Sequence, residues 1–423
     1  MPAVRQVVAT TFRSLRVRNF RLWFWGQGLS SIGTWIHSIG QGWLILELTH
    51  NSGAAVGGII AANAVPTLLL GSWAGVVADR ADKRRMLMRA SFAQTIAASL
   101  LAVLTLTGAV RVWMVFALAV ALGLGQVFDS PARLAFTPEM VGPDEVPNAV
   151  SLANLLFQGG RVFGPAVAGV VIVTVGTGWC FALNALSFVI LIGALLRIRP
   201  EELHRSQRVV AGKGQIREGF RYVWHTPLLR NLMLHALVVG TFAINNQVLL
   251  PLVAKLTFHG DAGTFSAMTT TLASGAFVAG LVLAHRGRAT LPMLIAASTY
   301  WGTAICIEAL APSLTMFLIL LMLAGVGQTA FLVTHQSLIQ LSIDRQMAGR
   351  VMSVWSLAML GSSPFGGPFV GWLSTATSPR VGVAVGGVGI LFGVAAFLVP
   401  SLVVARRSSV GLEHAVVGEV GEQ

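Results

Sequence analysis

Apolar residues in this chain come in long blocks, unlike the alternating or heptad patterns of soluble folds. Predominantly apolar runs cover residues 20–46, 54–77, 86–108, 112–131, 148–174 and 178–196, then 229–254, 264–284, 290–311, 313–340, 350–374 and 381–404. A helix needs about 20 residues to cross the hydrocarbon core of a bilayer, so each run is a candidate span. Polar residues gather in short breaks between the runs. One break is long, Arg197–Arg230 (RIRPEELHRSQRVVAGKGQIREGFRYVWHTPLLR), and it falls almost midway. The pattern predicts an all-α membrane protein of twelve transmembrane helices. Its expected parts are an N-terminal six-helix bundle over 1–198, a cytoplasmic linker over 199–228, a C-terminal six-helix bundle over 229–405 and a cytoplasmic tail over 406–423.

The two sets of six resemble each other. GQVF at Gly125 aligns with GQTA at Gly327, and Ser151 with Ser353, both at an offset of 202. Gly164-Pro165 aligns with Gly367-Pro368 at 203, Gly33 with Gly240 at 207 and Phe12-Arg13 with Phe220-Arg221 at 208. Offsets that shrink along the chain look like a duplication with small insertions and deletions. Six spans per half preserve direction, so the repeats are parallel, related by an axis along the membrane normal. That arrangement suits alternating access to a solute held near midplane.

Polar residues inside the runs are expensive in lipid and therefore informative. In ANLLFQGGRVFGPAVAG (Ala153–Gly169), a step of about 100° per residue from Asn154 puts Gln158 near 40° and Arg161 near 340°, on one face. Arginine at a bilayer centre costs roughly 3 kcal/mol, so this one must face protein or water. It reads either as a cavity residue that attracts an anionic or phenolate group, or as a buried arginine satisfied by backbone carbonyls. Gly160, Gly164 and Ala168 form a second ridge around Pro165, and small residues at this spacing let a neighbouring helix pack closely. In the first span His37 and Gln41 lie one turn apart on one face. His37 reads as a hydrogen-bonded structural histidine or as a substrate or proton residue. The second half offers Asn245-Asn246-Gln247, then Gln328, His335, Gln336 and Gln340, and a loosened segment Gly361–Gly371. The candidate substrate-binding or coupling set is Arg161, Gln158, Asn154, His37 and Gln41, with Asn245 and Gln336 opposite. No carboxylate falls at midplane; Glu47, Asp129 and Glu308 lie at span edges.

Composition agrees and charge sets the orientation. The chain has 423 residues, 55% hydrophobic and 11% charged, against about 25% charged in soluble proteins. Its net charge of +13 is not spread as a nucleic-acid footprint. With a cytoplasmic amino terminus, 25 basic residues fall on the inner side and three (Arg111, Lys255, Arg380) on the outer, with Arg161 in the membrane. This positive-inside bias places both termini in the cytoplasm. Residues 1–19 read as a short amphipathic helix on the inner surface. Cys180 and Cys306 are too few for a disulfide framework and have no metal-ligand spacing around them. Neither a phosphate-binding G-x-x-x-x-G-K-S/T nor H-E-x-x-H is present. No cofactor and no metal are expected. The expected partners are a small-molecule substrate and the bilayer, with no nucleic acid and the chain a monomer.

Two charged stretches remain at the inner edge. Gly75–Arg85 (GVVADRADKRR) reads as a topological anchor, or as a clamp in which Asp79 holds a neighbouring helix in one conformation. Asp129 reads as a structural or gating ion-pair partner for the arginines of that loop, or as a proton carrier. The loop resembles the G-x-x-x-D-R-x-G-R-R/K motif between helices two and three of the major facilitator superfamily. Gly75, Asp79, Arg80, Lys83 and Arg84 fill its positions, and Asp82 stands where glycine is usual. GRVFGPAVAG (Gly160–Gly169) resembles the G-x-x-x-G-P-x-x-G-G motif on helix five of its proton-coupled exporters, with Ala168 in place of one glycine. RNFRLWFWGQGLSSIGTWI, DSPARLAFTPEMV, FALNALSF and REGFRYVWHTPLLR are similar to the bacterial efflux branch that includes the enterobactin exporter.

The resemblance implies twelve helices and export of a small organic molecule (drug-like, siderophore-like or a secondary metabolite) across the bacterial inner membrane. It also implies exchange against protons. It assigns gating to Gly75, Asp79, Arg80, Arg84 and Asp129, and helix bending to Gly164 and Pro165. An importer or lipid-moving permease of the same fold is the alternative, and a membrane enzyme or sensor the more distant one.

Overall fold

The computed structural model describes residues 12–204, 215–283, 289–344 and 347–403. Most of the expected inner-surface helix, the middle of the linker and the tail lie outside those residues. Each of the twelve apolar runs falls on helix. The first half forms α1 (Arg18–Leu48), α2 (Gly53–Arg80), α3 (Lys83–Leu106), α4 (Val112–Glu139), α5 (Val146–Val175) and α6 (Gly178–Leu196). Beyond the linker follow α7 (Gln215–His225), α8 (Pro227–Phe242), α9 (Asn246–Leu252), α10 (Ala262–Leu283) and α11 (Leu291–Ala309). The chain continues with α12 (Leu314–Leu341), α13 (Ala348–Leu360), α14 (Ser363–Ala376) and α15 (Pro379–Gly393). Among the described residues there is no strand. Nine stretches among them are long and apolar enough to cross a membrane by length and composition. The other three expected spans lie on α1, which is diluted by polar residues, on α11, and on the pair α13–α14.

Short polar residues start the helices. Ser52, Asp82, Thr290, Ser313 and Ser378 each accept a hydrogen bond from the backbone N–H three residues on, which satisfies one of the donors a helix start leaves orphaned. α5 stops at Gly176, whose φ of 95° few other residues adopt cheaply.

The chain divides into two compact units, Met1–Ala211 with Gln247–Thr270 and Gly367–Ala376, and Gly212–Asn246 with Thr271–Gly366 and Thr377–Gln423. In the first, α1 is the central post. Gly26, Gly33 and Gly40 recur every seven residues and face Ala194, Ser187 and Cys180 of α6, which also recur every seven. A Cβ added at Gly26 or at Gly40 would lie 2.9 Å from the Cβ of Ala194 or Cys180. The two backbones therefore run in close contact over four turns. On another side of α1, Gly160 and Gly164 of α5 seat on Ser31, Ile32 and Trp35, with Ala168 fully buried. This is the small-residue seam expected of that ridge. Pro165 lacks an N–H, so the Arg161 carbonyl one turn earlier loses its helical partner. At one end of the unit Phe20, Trp23, Leu87, Phe136 and Leu195 form an apolar core.

The second unit is built on α8, α11, α12, α13 and α15, with the amphipathic α7 alongside. Glu218 of α7 pairs with Arg350 at 2.9 Å, and the Tyr222 hydroxyl donates to Asp344 at 3.2 Å. The first unit ties its own lead-in the same way. Arg13 pairs with Glu145 at 2.7 Å, and the buried Ser14 hydroxyl donates to Asn148 at 2.8 Å.

Candidate functional site

A cavity of about 210 Å³ lies inside the first unit. α1 supplies Thr34, His37, Ser38 and Gln41 to its wall, positions i, i+3, i+4 and i+7 of one helical face. Asn63 comes from α2, Gln94 from α3, and Gln126 from α4. α6 adds Asn184 and Phe188; Gln247 of α9 and Phe265 of α10 complete the lining. Among the described residues, no Asp, Glu, Lys or Arg lines it. Its polarity comes from amides, hydroxyls and one imidazole.

Helix geometry explains how so many amides converge. Pro66 in α2 and Gly123 in α4 bring those helices together: a Cβ at Gly123 would lie 3.2 Å from Pro66 and closer still to the Asn63 carbonyl. Asn63 Nδ2 donates to the Ile59 carbonyl at 3.1 Å and to Gln41 Oε1 at 3.2 Å. A carbonyl can only accept, so it fixes the Asn63 amide, which in turn fixes Gln41 with its oxygen toward Asn63. Gln41 Nε2 is left as a donor without a partner. Gln94 Oε1 and both ring nitrogens of His37 are also unpartnered among the described residues. All three side chains are 5% exposed or less. Orphaned polar atoms this deep cost on the order of 1–3 kcal/mol each unless something binds them.

Of the seven residues expected to bind substrate or couple, His37 and Gln41 line this cavity. Asn154 and Gln158 are exposed on α5, and Arg161 is half-buried on the same helix. The Arg161 guanidinium lies over the Trp35 ring, 6.0 Å from its centroid, and among the described residues no carbonyl accepts from it. The reading of Arg161 as satisfied by backbone carbonyls is thus not what the structure has. Asn245 donates to the Thr241 carbonyl at 2.7 Å. It and the half-buried Gln336 belong to the second unit. Glu47 accepts from Trp43 Nε1 at 2.7 Å, and Glu308 is buried in α11.

The motif loop is organised by backbone rather than by acid–base pairs alone. Arg84 donates from Nε to the Leu195 carbonyl at 2.7 Å and from a terminal nitrogen to Leu196 at 3.0 Å, so it caps the negative end of α6. Lys83 pairs with the buried Glu139 at 2.7 Å. Asp82, in the glycine position of the motif, has ordinary extended backbone (φ −68°) and accepts from Arg85 N at 2.9 Å as the N-cap of α3. Asp129 pairs with Arg133 of its own helix at 3.6 Å, which corrects the expected pairing with a loop arginine, since Arg84 is taken up by α6. Gly75 and Arg80 lie in the last turns of α2, Arg80 exposed; the Asp79 side chain is outside the described part.

Sequence reasoning missed Asn63, Gln94, Gln126 and Asn184 as site residues. Each is a lone amide in an apolar run, and that cost in lipid was the available signal.

Comparison with known proteins places this geometry in context. The family model described as transmembrane secretion effector, of the major facilitator superfamily, matches residues 9–415. The multidrug efflux pump Tap of Mycolicibacterium fortuitum is 29% identical over 378 residues, 85% of this chain and 90% of that protein. The enterobactin exporter of Citrobacter koseri is 26% identical over 329 residues, 75% and 76% of the two chains. Among solved structures, an inward-facing, unoccupied bacterial homologue of the human lysosomal transporter Spinster superposes with a TM-score of 0.73. It has 16% identity, over 91% of this chain and 96% of that one.

Proposed function

This chain belongs to the transmembrane secretion effector family of major facilitator efflux transporters, and from that premise we propose that it exports a small organic molecule in exchange for protons. It is a multi-pass membrane transporter and not an enzyme. The cargo belongs to the range named for its relatives, drug-like or siderophore-like. The observation that carries the reading is the cavity lined by α1, α2, α3, α4, α6, α9 and α10, with its unpartnered polar atoms. A site for a passing solute needs polar atoms the protein leaves unsatisfied, because those already paired offer a ligand nothing.

Alternating access supplies the movement in this reading. The α1–α6 seam and the α5 ridge keep the first unit's helices in register, so the cavity travels as one piece. Gly164 and Pro165 allow bending of α5, while Arg84, Asp129 and the loop Gly75–Arg85 set the inner edge. The excess of basic residues there supports cytoplasmic termini.

Accumulation in cells lacking their own pumps tests the proposal. A panel of labelled lipophilic, cationic and catecholate compounds would be followed with and without the protein, before and after a protonophore. Lower accumulation that the protonophore reverses is expected. Higher accumulation would make the protein an importer, and unchanged accumulation of every compound would remove the efflux reading.

A further inference from the structure

The chemistry of the cavity wall narrows what it can hold, taking the cavity as the cargo site of the efflux reading. We propose that it selects an uncharged group, a single ring bearing an amide or hydroxyl, and rejects carboxylates and ammonium ions of the same size.

Size comes first. The volume of about 210 Å³ lies below the roughly 300–1,000 Å³ of pockets that take drug-sized ligands, which suits one ring with a short substituent. Polarity comes second. Gln41 Nε2 is an oriented donor, held by the relay from the Ile59 carbonyl through Asn63. The Gln94 amide, with no hydrogen bond among the described residues, is free to turn its carbonyl to a ligand as an acceptor. An amide or hydroxyl carries both complements on one small group, whereas a carboxylate only accepts and an ammonium only donates. Charge comes third. Among the described residues no ionised side chain lines the space, so a full charge drawn in from water would have no counter-charge to replace its hydration. The apolar body has its own surfaces in Phe188 and Phe265, both buried. Arg161 does not alter the balance, because it belongs to α5 and is no part of this wall.

The test uses full-length purified protein in detergent and four probes that share a benzene ring: benzamide, benzoate, benzylammonium and toluene. Ligand-observed NMR reads saturable binding of each. Benzamide is expected to bind about tenfold tighter than either ion and also tighter than toluene. Gln41→Leu and Gln94→Leu should each weaken benzamide about fivefold or more while sparing toluene, with thermal unfolding confirming that the variants fold.

Equal binding of benzoate or benzylammonium overturns the proposal, as does the absence of saturable benzamide binding. Benzamide binding that both variants leave unchanged overturns it too. The wild-type series decides even if the variants do not fold. Binding preference and cellular efflux fail separately. Efflux without the preference removes this inference alone, and the preference without efflux removes the transport role and leaves the site.

Discussion

Buried histidines occur in two settings in this molecule. His37, on α1, lies beside open space with both ring nitrogens unpartnered among the described residues. His335, on α12 of the second unit, is fully buried and uses both. Its Nδ1 accepts from Trp355 Nε1 at 3.1 Å, which puts the proton on Nε2, 3.1 Å from the Leu232 carbonyl. His235 stacks on it at 5.8 Å, with Phe331 edge-on at 5.4 Å. A Cβ at Gly393 would come within 2.7 Å of the His235 ring. The His235 ring nitrogens, like those of His37, have no partner among the described residues, yet rings pack around His235 while His37 lines the cavity. An orphaned polar atom points to a ligand when space adjoins it; among packed rings the same atom is part of the core.

Substitutions on the two sides should separate cleanly. The largest effect is expected from Gln41→Leu or Gln94→Leu. Each should cut transport at least about tenfold with little change in unfolding temperature, read from initial efflux rates normalised to membrane abundance. His335→Leu should do the reverse. It strands the Trp355 N–H and removes a second bond to the helical Leu232 carbonyl, so stability should fall by about 2 kcal/mol while transport per folded molecule persists. Loss of transport from His335→Leu at unchanged stability would break the comparison.

Arg161→Ala sharpens it on a third surface. Because the guanidinium lies on α5 outside the cavity, the variant should slow about fivefold a cargo that bears an anion apart from its neutral ring group, and leave a wholly neutral cargo unaffected. At the motif loop, Asp82→Ala should cost about 1 kcal/mol through the lost cap, and Asp82→Gly only a few tenths.

The smallest effect lies at the start of the helix that carries Phe265. Asp261 accepts from Thr264 N at 2.9 Å and from its hydroxyl at 3.2 Å, and the backbone bond, more than the hydroxyl, holds its carboxyl below the usual value of 3.8. A depressed carboxylate stabilises the fold above its ordinary pKa and loses that contribution as pH falls through the lowered one. Thermal unfolding should therefore be flat with pH near neutrality and decline below about pH 4, less so in Asp261→Asn.

The fold was legible because spans about 20 residues long leave few alternatives in a bilayer. All twelve runs fall on helix, and the four-residue ridge of α5 packs as its spacing required. The cavity was half legible. The polar face of α1 could be read from His37 and Gln41, since period alone defines it. Asn63, Gln94, Gln126 and Asn184 stand singly on four other helices, and a lone amide has no face until its helix is placed. The shared face of Asn154, Gln158 and Arg161 follows from the helical period, and none of the three lines the cavity of the first unit. Asp82 shows the limit of a motif: where glycine was usual, the backbone needs no glycine, and a carboxylate serves as a cap.

The seven-residue seam between α1 and α6 also bears on how the protein is made. Gly40 and Cys180, which meet in it, are 140 residues apart in the chain. At roughly 5–20 residues per second, the ribosome finishes α6 about 7–30 seconds after α1. Throughout that interval the glycine groove of the first helix lacks the α6 backbone that fills it. The order of synthesis thus makes the helix that gives the site more residues than any other wait for the sixth before its glycine groove is filled.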